Sequence, residues 1–198
     1  LNWFLVRSAH ILGTTYHLHG LENIPENKPL IVVANHQSLN DITTMIWFLR
    51  KIHPKFISKI ELGKGIPSVS YNLRKGGSAL IDRKDPKQAL PEIKKVAELI
   101  NANNYSAVIF PEGTRSKTGA PKPFASSGLK MLYKYAPDAY FLPITINNSW
   151  KITKFGSFPL GLGNSLHFQI HPAMKISEFS FEEIFEKTEK IITNSLKY

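Results

Sequence analysis

Three short apolar runs constrain this chain more than any other feature. Residues 30–34 read Leu-Ile-Val-Val-Ala, and residues 105–110 and 140–146 are mostly apolar, each with one aliphatic hydroxyl residue, Ser106 and Thr145. A run of this length with no polar alternation suits a strand covered on both faces. Between the runs lie helical stripes. One occupies 43–52, with Met45, Ile46, Trp47 and Leu49, and Pro54 stops it. Another carries Ile93, Val96, Ala97 and Ile100, and a third spans 127–136. Further strands are expected at 55–59, 78–82 and 165–170, with a short strand and turn at 19–27. Residues 61–67 read as a loop or broken helix, and 69–73 as a helical turn. Ser180-x-x-Glu183 caps a final amphipathic helix carrying Ile184, Phe185, Ile191, Ile192 and Leu196. Strands alternating with helices predict an α/β fold, a mostly parallel central sheet flanked by helices.

Two prolines qualify this pattern. Asp85-Pro86 has the form of a helix start, cap then proline. Pro91 lacks a backbone donor and crowds the turn before it, so the helix either begins at Pro91 or is kinked there. Pro143 sits inside an expected strand and suggests a bulge or a special strand end.

Lys and Arg outnumber Asp and Glu by 25 to 15 in 198 residues, a formal charge of +10, which implies an anionic partner: nucleic acid, phosphate ligands or an anionic membrane face. With no cysteine, disulfides, thiolate catalysis and cysteine metal sites are excluded. No apolar run approaches the ~20 residues needed to cross a bilayer. Residues 1–20 form an apolar start, with Trp3, Phe4, Leu5, Val6, Ile11, Leu12, Tyr16 and Leu18 interrupted by Arg7, His10 and His17. Such a segment suits a membrane-interface helix anchored by aromatics, and equally a first helix packed on the core. The start at Leu1 implies an excised or processed beginning. Residues 21–198 show no repeat or linker and are expected to form a single α/β domain.

Polar groups cluster where strands end. Asn35-His36-Gln37-Ser38-Leu39-Asn40-Asp41 follows the first run, Asp82-Arg83 follows 78–81, and Pro111-Glu112-Gly113-Thr114-Arg115-Ser116 follows 105–110. Ligands of open α/β sheets bind beyond the carboxyl ends of the strands, so the three clusters are candidates for one site. His36 and Asp41 are five apart and cannot pair across a helix face. They pair if His36 lies in the turn and Asp41 in the first helical turn, which would fix the ring tautomer and free the other nitrogen as a base. Ser38-x-x-Asp41 is also a capping pattern. Gly113 allows backbone donors to approach an anion, and Arg83 and Arg115 offer forks suited to phosphate. Glu112 either binds a ligand hydroxyl or orients Arg115 and braces the turn. His10, His17, His19, His53, His167 and His171 have no partner at a ligand spacing, so no metal is expected. Ser38 lacks the Gly-x-Ser-x-Gly elbow of a hydrolase, and residues 117–122 lack the ending of a P-loop. A basic, non-catalytic anion-binding domain would account for the charge but not for His36 with Asp41.

Together these residues resemble the glycerolipid acyltransferase family, best known through 1-acylglycerol-3-phosphate (lysophosphatidic acid) acyltransferases. Its first block, Asn-His-x-Ser-x-x-Asp, is matched by Asn35, His36, Ser38 and Asp41; its second by Lys59, Glu61, Leu62, Pro67 and then Ile81, Asp82 and Arg83. The third, Phe-Pro-Glu-Gly-Thr-Arg-Ser, is matched in full over 110–116, and the fourth by Leu142, Pro143 and Ile144. The resemblance implies acyl transfer from acyl-CoA or acyl carrier protein to the hydroxyl of a lysophospholipid acceptor, with no cofactor, no metal and no nucleic acid. It implies His36 as general base, Asp41 as its orienting group, and Arg83, Glu112, Gly113, Thr114, Arg115 and Lys59 as the acceptor's phosphate site. It also implies membrane association, at the cytoplasmic face of the cell membrane. Two departures, Leu39-Asn40 before Asp41 and the longer Phe124-Ala125-Ser126-Ser127-Gly128 after the third block, leave glycerol 3-phosphate, another lysophospholipid or an aminolipid open as acceptor.

Overall fold

All five residues of strand β2 (Leu30–Ala34) have no exposed surface, because this strand lies in the middle of a sheet covered on both sides. The computed structural model describes residues 2–63, 67–156 and 158–197, and only the backbone of 67–69 and 72. Among the described residues the other strands are β1 (Thr15–His19), β3 (Pro54–Lys59), β4 (Ala79–Ile81), β5 (Ser106–Ile109), β6 (Tyr140–Asn147), β7 (Ser165–Ile170) and β8 (Met174–Lys175). Their order is β1-β7-β6-β2-β5-β3-β4, with β8 paired beside β7's place on β6. The sheet is parallel from β6 to β4. At the other edge β7 runs antiparallel to β6, and β1 follows β7 in parallel. The carboxyl ends of β2 to β6 therefore share one end of the sheet with the starts of β1 and β7.

Pleating splits the core in two. Ile31 and Val33 face helices α4 (Pro86–Asn103), α5 (Ser126–Tyr135) and α6 (Phe181–Asn194), packing with Ile93, Val96, Leu129, Leu132 and Ile184. Leu30, Val32 and Ala34 face the opposite layer, with Ile42 and Met45 of helix α2 (Leu39–Phe48) and Leu73 of α3 (Pro67–Lys75). Each such side chain contributes about 1.5–3 kcal/mol on burial. Both faces of β2 are thus energetically committed, and the loop at its end inherits a fixed position.

The α/β reading holds, with local differences. The strand expected at 19–27 lies earlier, as β1, and residues 21–23 form a 3-10 turn. Thr-Tyr-His-Leu-His alternates around a half-buried Tyr16 and Leu18, an edge-strand pattern hidden inside the apolar start. The helix there, α1, covers Asn2–Ile11 only. Helix α2 begins at Leu39, ahead of the expected 43, because Ser38 caps it. Residues 60–63 form a 3-10 turn; of the loop expected at 61–67, residues 64–66 lie outside the described residues, and α3 begins at Pro67. Pro143 neither bulges nor ends β6. It sits where the antiparallel neighbour changes, after Tyr140 and Phe141 pair with β8 and before Ile144 pairs with β7. There a missing N–H disrupts no ladder.

Pro91 lies inside α4, which starts at Pro86 with the Asp85 carboxylate accepting from the Lys87 and Gln88 amides. The start read at Asp85-Pro86 therefore holds, and of the two alternatives at Pro91 the later start falls away, since the five residues before it are already helical. Pro91 leaves the Lys87 carbonyl without its intrahelical donor. Pro91→Ala should raise stability by about 1–2 kcal/mol, the helix-propensity gain less the freedom returned to the unfolded chain. Urea unfolding midpoints of the two proteins check this; an unchanged or lower midpoint would show that α4 has adapted to the proline.

Candidate active site

The loop after β2 is held before any chemistry is considered. Asn35 is buried and spends its whole amide on the neighbouring strand, Nδ2 donating to Ile146 O (2.8 Å) and Oδ1 accepting from Ile146 N (2.7 Å). The chain then turns through His36 and Gln37 into Ser38, the cap of α2. Ser38 Oγ accepts from Asn40 N at 3.3 Å, and the Asp41 carboxylate reaches back to accept from Ser38 N at 2.8 Å. This capping box places the carboxylate under the turn instead of on the helix surface.

There the carboxylate meets His36. His36 Nδ1 lies 2.8 Å from Asp41 Oδ2, and Gln37 N donates to the same oxygen at 2.8 Å. The other oxygen, Oδ1, accepts from Ser149 Oγ at 2.5 Å. Asp41 has no exposed surface, so these four contacts stand in for its water shell. Asp41 accepts at Nδ1, so that nitrogen carries the ring proton while Asp41 is ionised and Nε2 has a free lone pair. Nε2 makes no hydrogen bond among the described residues. The ring stacks on Phe110, centroids 4.2 Å apart and planes 16° apart.

The loop after β5 docks on this one. Phe110 O accepts from Gly113 N (3.1 Å), closing a turn through Pro111 and Glu112, and Ala125 N donates to Pro111 O (2.9 Å), closing the larger loop. Ser116 N donates to His36 O (2.8 Å), and His36 N donates to Glu112 Oε1 (3.0 Å). Gly113 has φ +71, in the left-handed region that glycine favours, and a Cβ there would stand 3.8 Å from an Arg83 terminal nitrogen. Glu112 is buried, and its Oε2 has no hydrogen-bond partner among the described residues. Burial pushes its carboxyl up to about 7 against the hydrogen bond from His36 N, with the Asp41 charge adding to the rise.

The sequence-predicted residues are thus brought together unevenly. His36, Asp41 and Glu112 touch within one hydrogen-bonded unit. Arg83 and Gly113 meet at the mouth of a cleft of about 260 Å³ that runs between the sheet, α4 and α5, past Ile81, Ala89, Ile93 and Ile109. Phe110 and Pro111 line the same cleft, which joins it to the face on which His36 stacks. Thr114 and Arg115 are exposed. Lys59 stands at the end of β3 in a 2.6 Å exposed ion pair with Glu61, whose charge also acts on Arg83.

Sequence reasoning missed Ser149 and Gln37. Ser149 lies two residues past β6; besides its hydroxyl on Asp41, its amide donates to Gln37 Oε1 at 3.0 Å. Gln37 Nε2 in turn donates to Gly119 O at 3.4 Å. No motif marks a serine 108 positions from its partner. A polar Ser-Trp after an apolar strand end was the only local signal.

The arrangement matches known proteins. The family model described as Acyltransferase matches residues 15–147. The chain is 34% identical over 141 residues to the chloroplastic 1-acyl-sn-glycerol-3-phosphate acyltransferase BAT2 of Brassica napus, covering 71% of this chain and 39% of that protein. It is 38% identical over 134 residues to the 1-acyl-sn-glycerol-3-phosphate acyltransferase of Helicobacter pylori, covering 66% and 52%. It therefore spans between about two fifths and half of the length of these curated relatives. Among solved structures it resembles the 1-acyl-sn-glycerophosphate (LPA) acyltransferase PlsC of Thermotoga maritima, with a TM-score of 0.77 and 29% identity over 98% of this chain and 75% of that one. The matched segment runs from the start of β1 to the end of β6 and takes in every loop that meets at His36 except that of Ser149, and on that ground the chain belongs to the Acyltransferase family.

Proposed function

We propose that this chain transfers a fatty acyl group from a thioester, acyl-CoA or acyl carrier protein, to the free hydroxyl of lysophosphatidic acid, forming phosphatidic acid. The observation that carries the reading is the buried His36–Asp41 pair, 2.8 Å apart, at a strand end beside a cationic turn. His36 Nε2 takes the acceptor's hydroxyl proton as that oxygen attacks the thioester carbonyl. The new C–O bond forms and the C–S bond breaks. The thiolate leaves, and the imidazolium returns its proton to the sulfur. Asp41 holds the tautomer and stabilises the imidazolium, as general-base catalysis by histidine requires. Ser149 positions Asp41.

Arg83 and Arg115, with Gly113 and Thr114, place the acceptor's phosphate, and Lys59 extends the positive rim when it leaves Glu61. Glu112 acts through the His36 loop, which it braces. The apolar cleft behind Arg83 accommodates an acyl chain. Helix α1 rests on the membrane interface: Trp3, Phe4 and Ile11 are exposed although large and apolar, while Val6 packs inward. No helix among the described residues is long and apolar enough to cross a membrane. The contact proposed for α1 is with the interface of the cytoplasmic face.

His36→Ala should lower kcat for thioester-dependent acylation of lysophosphatidate by about 10³-fold or more, and Asp41→Asn by a similar factor, both with native circular dichroism. Full activity in His36→Ala would sink the mechanism. Ser149→Ala leaves a fully buried carboxylate oxygen without its donor, a loss of about 1–3 kcal/mol. It should lower kcat about tenfold with little change in either KM. Arg115→Ala should raise KM for the phosphate-bearing acceptor and leave that for the acyl donor unchanged; a matrix of lysophosphatidate, glycerol 3-phosphate and uncharged acceptors reads this directly.

Glu112 gives a pH test of the site's electrostatics. Its folded-state value of about 7 lies above the ordinary 4.5, so the folded state binds the extra proton between those limits. Stability from this group is complete below about 4.5 and is lost as pH rises through about 7. Glu112→Gln removes the titration. The variant's stability relative to wild type should therefore increase from pH 4.5 to pH 7.5, followed by urea midpoints, and a flat difference would refute the raised value.

A further inference from the structure

We propose that the loop between β6 and β7, residues 150–162, is a second bilayer contact, which inserts beside the end of α1 into an anionic membrane surface and sets the active site facing it. The choice of partner rests on the lipid-acceptor reading above.

Four large apolar side chains in this loop are held in water: Phe155 is 65% exposed, Phe158 88%, Leu162 73% and Leu160 36%. An isolated exposed leucine needs no account, but four within eight positions form a patch that a chain in water would bury. The loop is nevertheless built. Gly161 N donates to Ile152 O at 2.8 Å, and a Cβ on Gly161 would stand 2.2 Å from Lys151 O, so the neck closes on bare backbone. A fixed neck with an apolar tip is the form of an insertion element.

The loop joins α1 directly. Gly163 N donates to Leu12 O at 2.9 Å, and Thr15 N to Asn164 O at 2.8 Å. Ile11, 86% exposed, and Leu162 thus flank the same backbone contact, and the two apolar segments make one surface. Cations border it. Lys154 lies over the Phe155 ring at 5.7 Å, Lys151 over Trp150 at 5.8 Å, and Arg7 over Trp3 at 5.5 Å. Aromatics with basic neighbours that can reach the headgroups are what an anionic interface selects, and the net charge of +10 has the matching sign.

Topology ties the surface to the chemistry. β6 ends and β1 begins at the sheet end where β2 delivers His36. The residue just before this loop is Ser149, whose hydroxyl holds Asp41. Docking therefore turns the sheet end that carries His36 towards the membrane, with the Arg83 and Gly113 mouth of the cleft at the same end of the sheet.

The test is co-sedimentation of the full chain with vesicles of phosphatidylglycerol and phosphatidylcholine, without turnover. The wild type should bind the anionic vesicles, and Phe155→Ser/Phe158→Ser/Leu162→Ser should bind at least tenfold more weakly, while keeping its circular dichroism and its acyl transfer to detergent-dispersed substrate. The chain has no cysteine, so Phe158→Cys takes a single environment-sensitive fluorophore. Its emission should shift to the blue on vesicles, and that of Asn103→Cys, at the end of α4, should not. Unchanged binding by the triple variant, no binding by the wild type, or a Phe158→Cys label that still reports water on bound vesicles each overturns the proposal. So does a wild-type dimer that the triple variant dissociates while vesicle binding persists, since the patch would then belong to a second copy. Binding is read apart from catalysis, so an inactive protein that still docks through this loop would refute the acyl-transfer reading and leave the loop's role standing.

Discussion

A carboxylate with no exposed surface must find in the protein what it gave up in water, and Asp41 is such a carboxylate. The cost of failing is several kcal/mol for an ion left without donors, comparable to much of a domain's net stability. Its four contacts come from His36, from the amides of Gln37 and Ser38, and from Ser149. The first three are local, supplied by a tight turn at a helix start, where the unsatisfied amides also favour negative charge. The fourth crosses from the far end of β6. Satisfying Asp41 therefore fixes the turn after β2, the start of α2 and the chain after β6 relative to one another. Asn35, bonded at both ends of its amide to Ile146, clamps the same pair of strands one residue earlier.

Glu112 shows what happens when the same requirement is half met. One of its oxygens accepts from His36 N, while the other has no hydrogen-bond partner among the described residues. Burial then favours the neutral acid, and the nearby Asp41 charge favours it further. Two acidic side chains within one hydrogen-bonded unit thus meet different surroundings: Asp41 has four polar contacts, and Glu112 accepts from His36 N at one oxygen only. Glu112 is a brace whose charge is carried at a cost.

How much of this was legible in the sequence follows from the range of the forces involved. β2, β5 and β6 were visible because burial on both faces demands mostly apolar runs. The capping role of Ser38 and Asp41 was visible because it acts across three positions. β1 was obscured because an edge strand needs only alternate burial, and its alternation sat inside an aromatic segment that also suits a helix. At Pro91 two readings of α4 stayed open because propensity argues locally, whereas Ile93, Val96, Ala97 and Ile100 pack the helix onto the sheet and outweigh one lost hydrogen bond. Pro143 could be read as special but not explained, because the explanation is a change of neighbour from β8 to β7 that only the topology reveals. Ser149 was invisible for the same reason, being joined to Asp41 by strand order alone.

The strand order also decides which way the site can face. Had β7 and β1 run parallel to β6, the α1 end of β1 would lie at the opposite end of the sheet from His36. Reversing that pair brings Leu12 and Gly163 to the end that carries His36, with Ile11 and Leu162 exposed beside them. Arg83, after β4, and Arg115, in the loop after β5, lie at that end as well, on the other side of β2. A lipid with a phosphate, a reacting hydroxyl and acyl chains has three chemically distinct parts, arranged in order of depth at a bilayer surface. One sheet end that offers cations, a buried base and apolar side chains presents matching parts in one plane. On the proposed lipid-acceptor reading, that arrangement gives the exposed Ile11, Phe155, Phe158 and Leu162 a partner at the end of the sheet that carries His36.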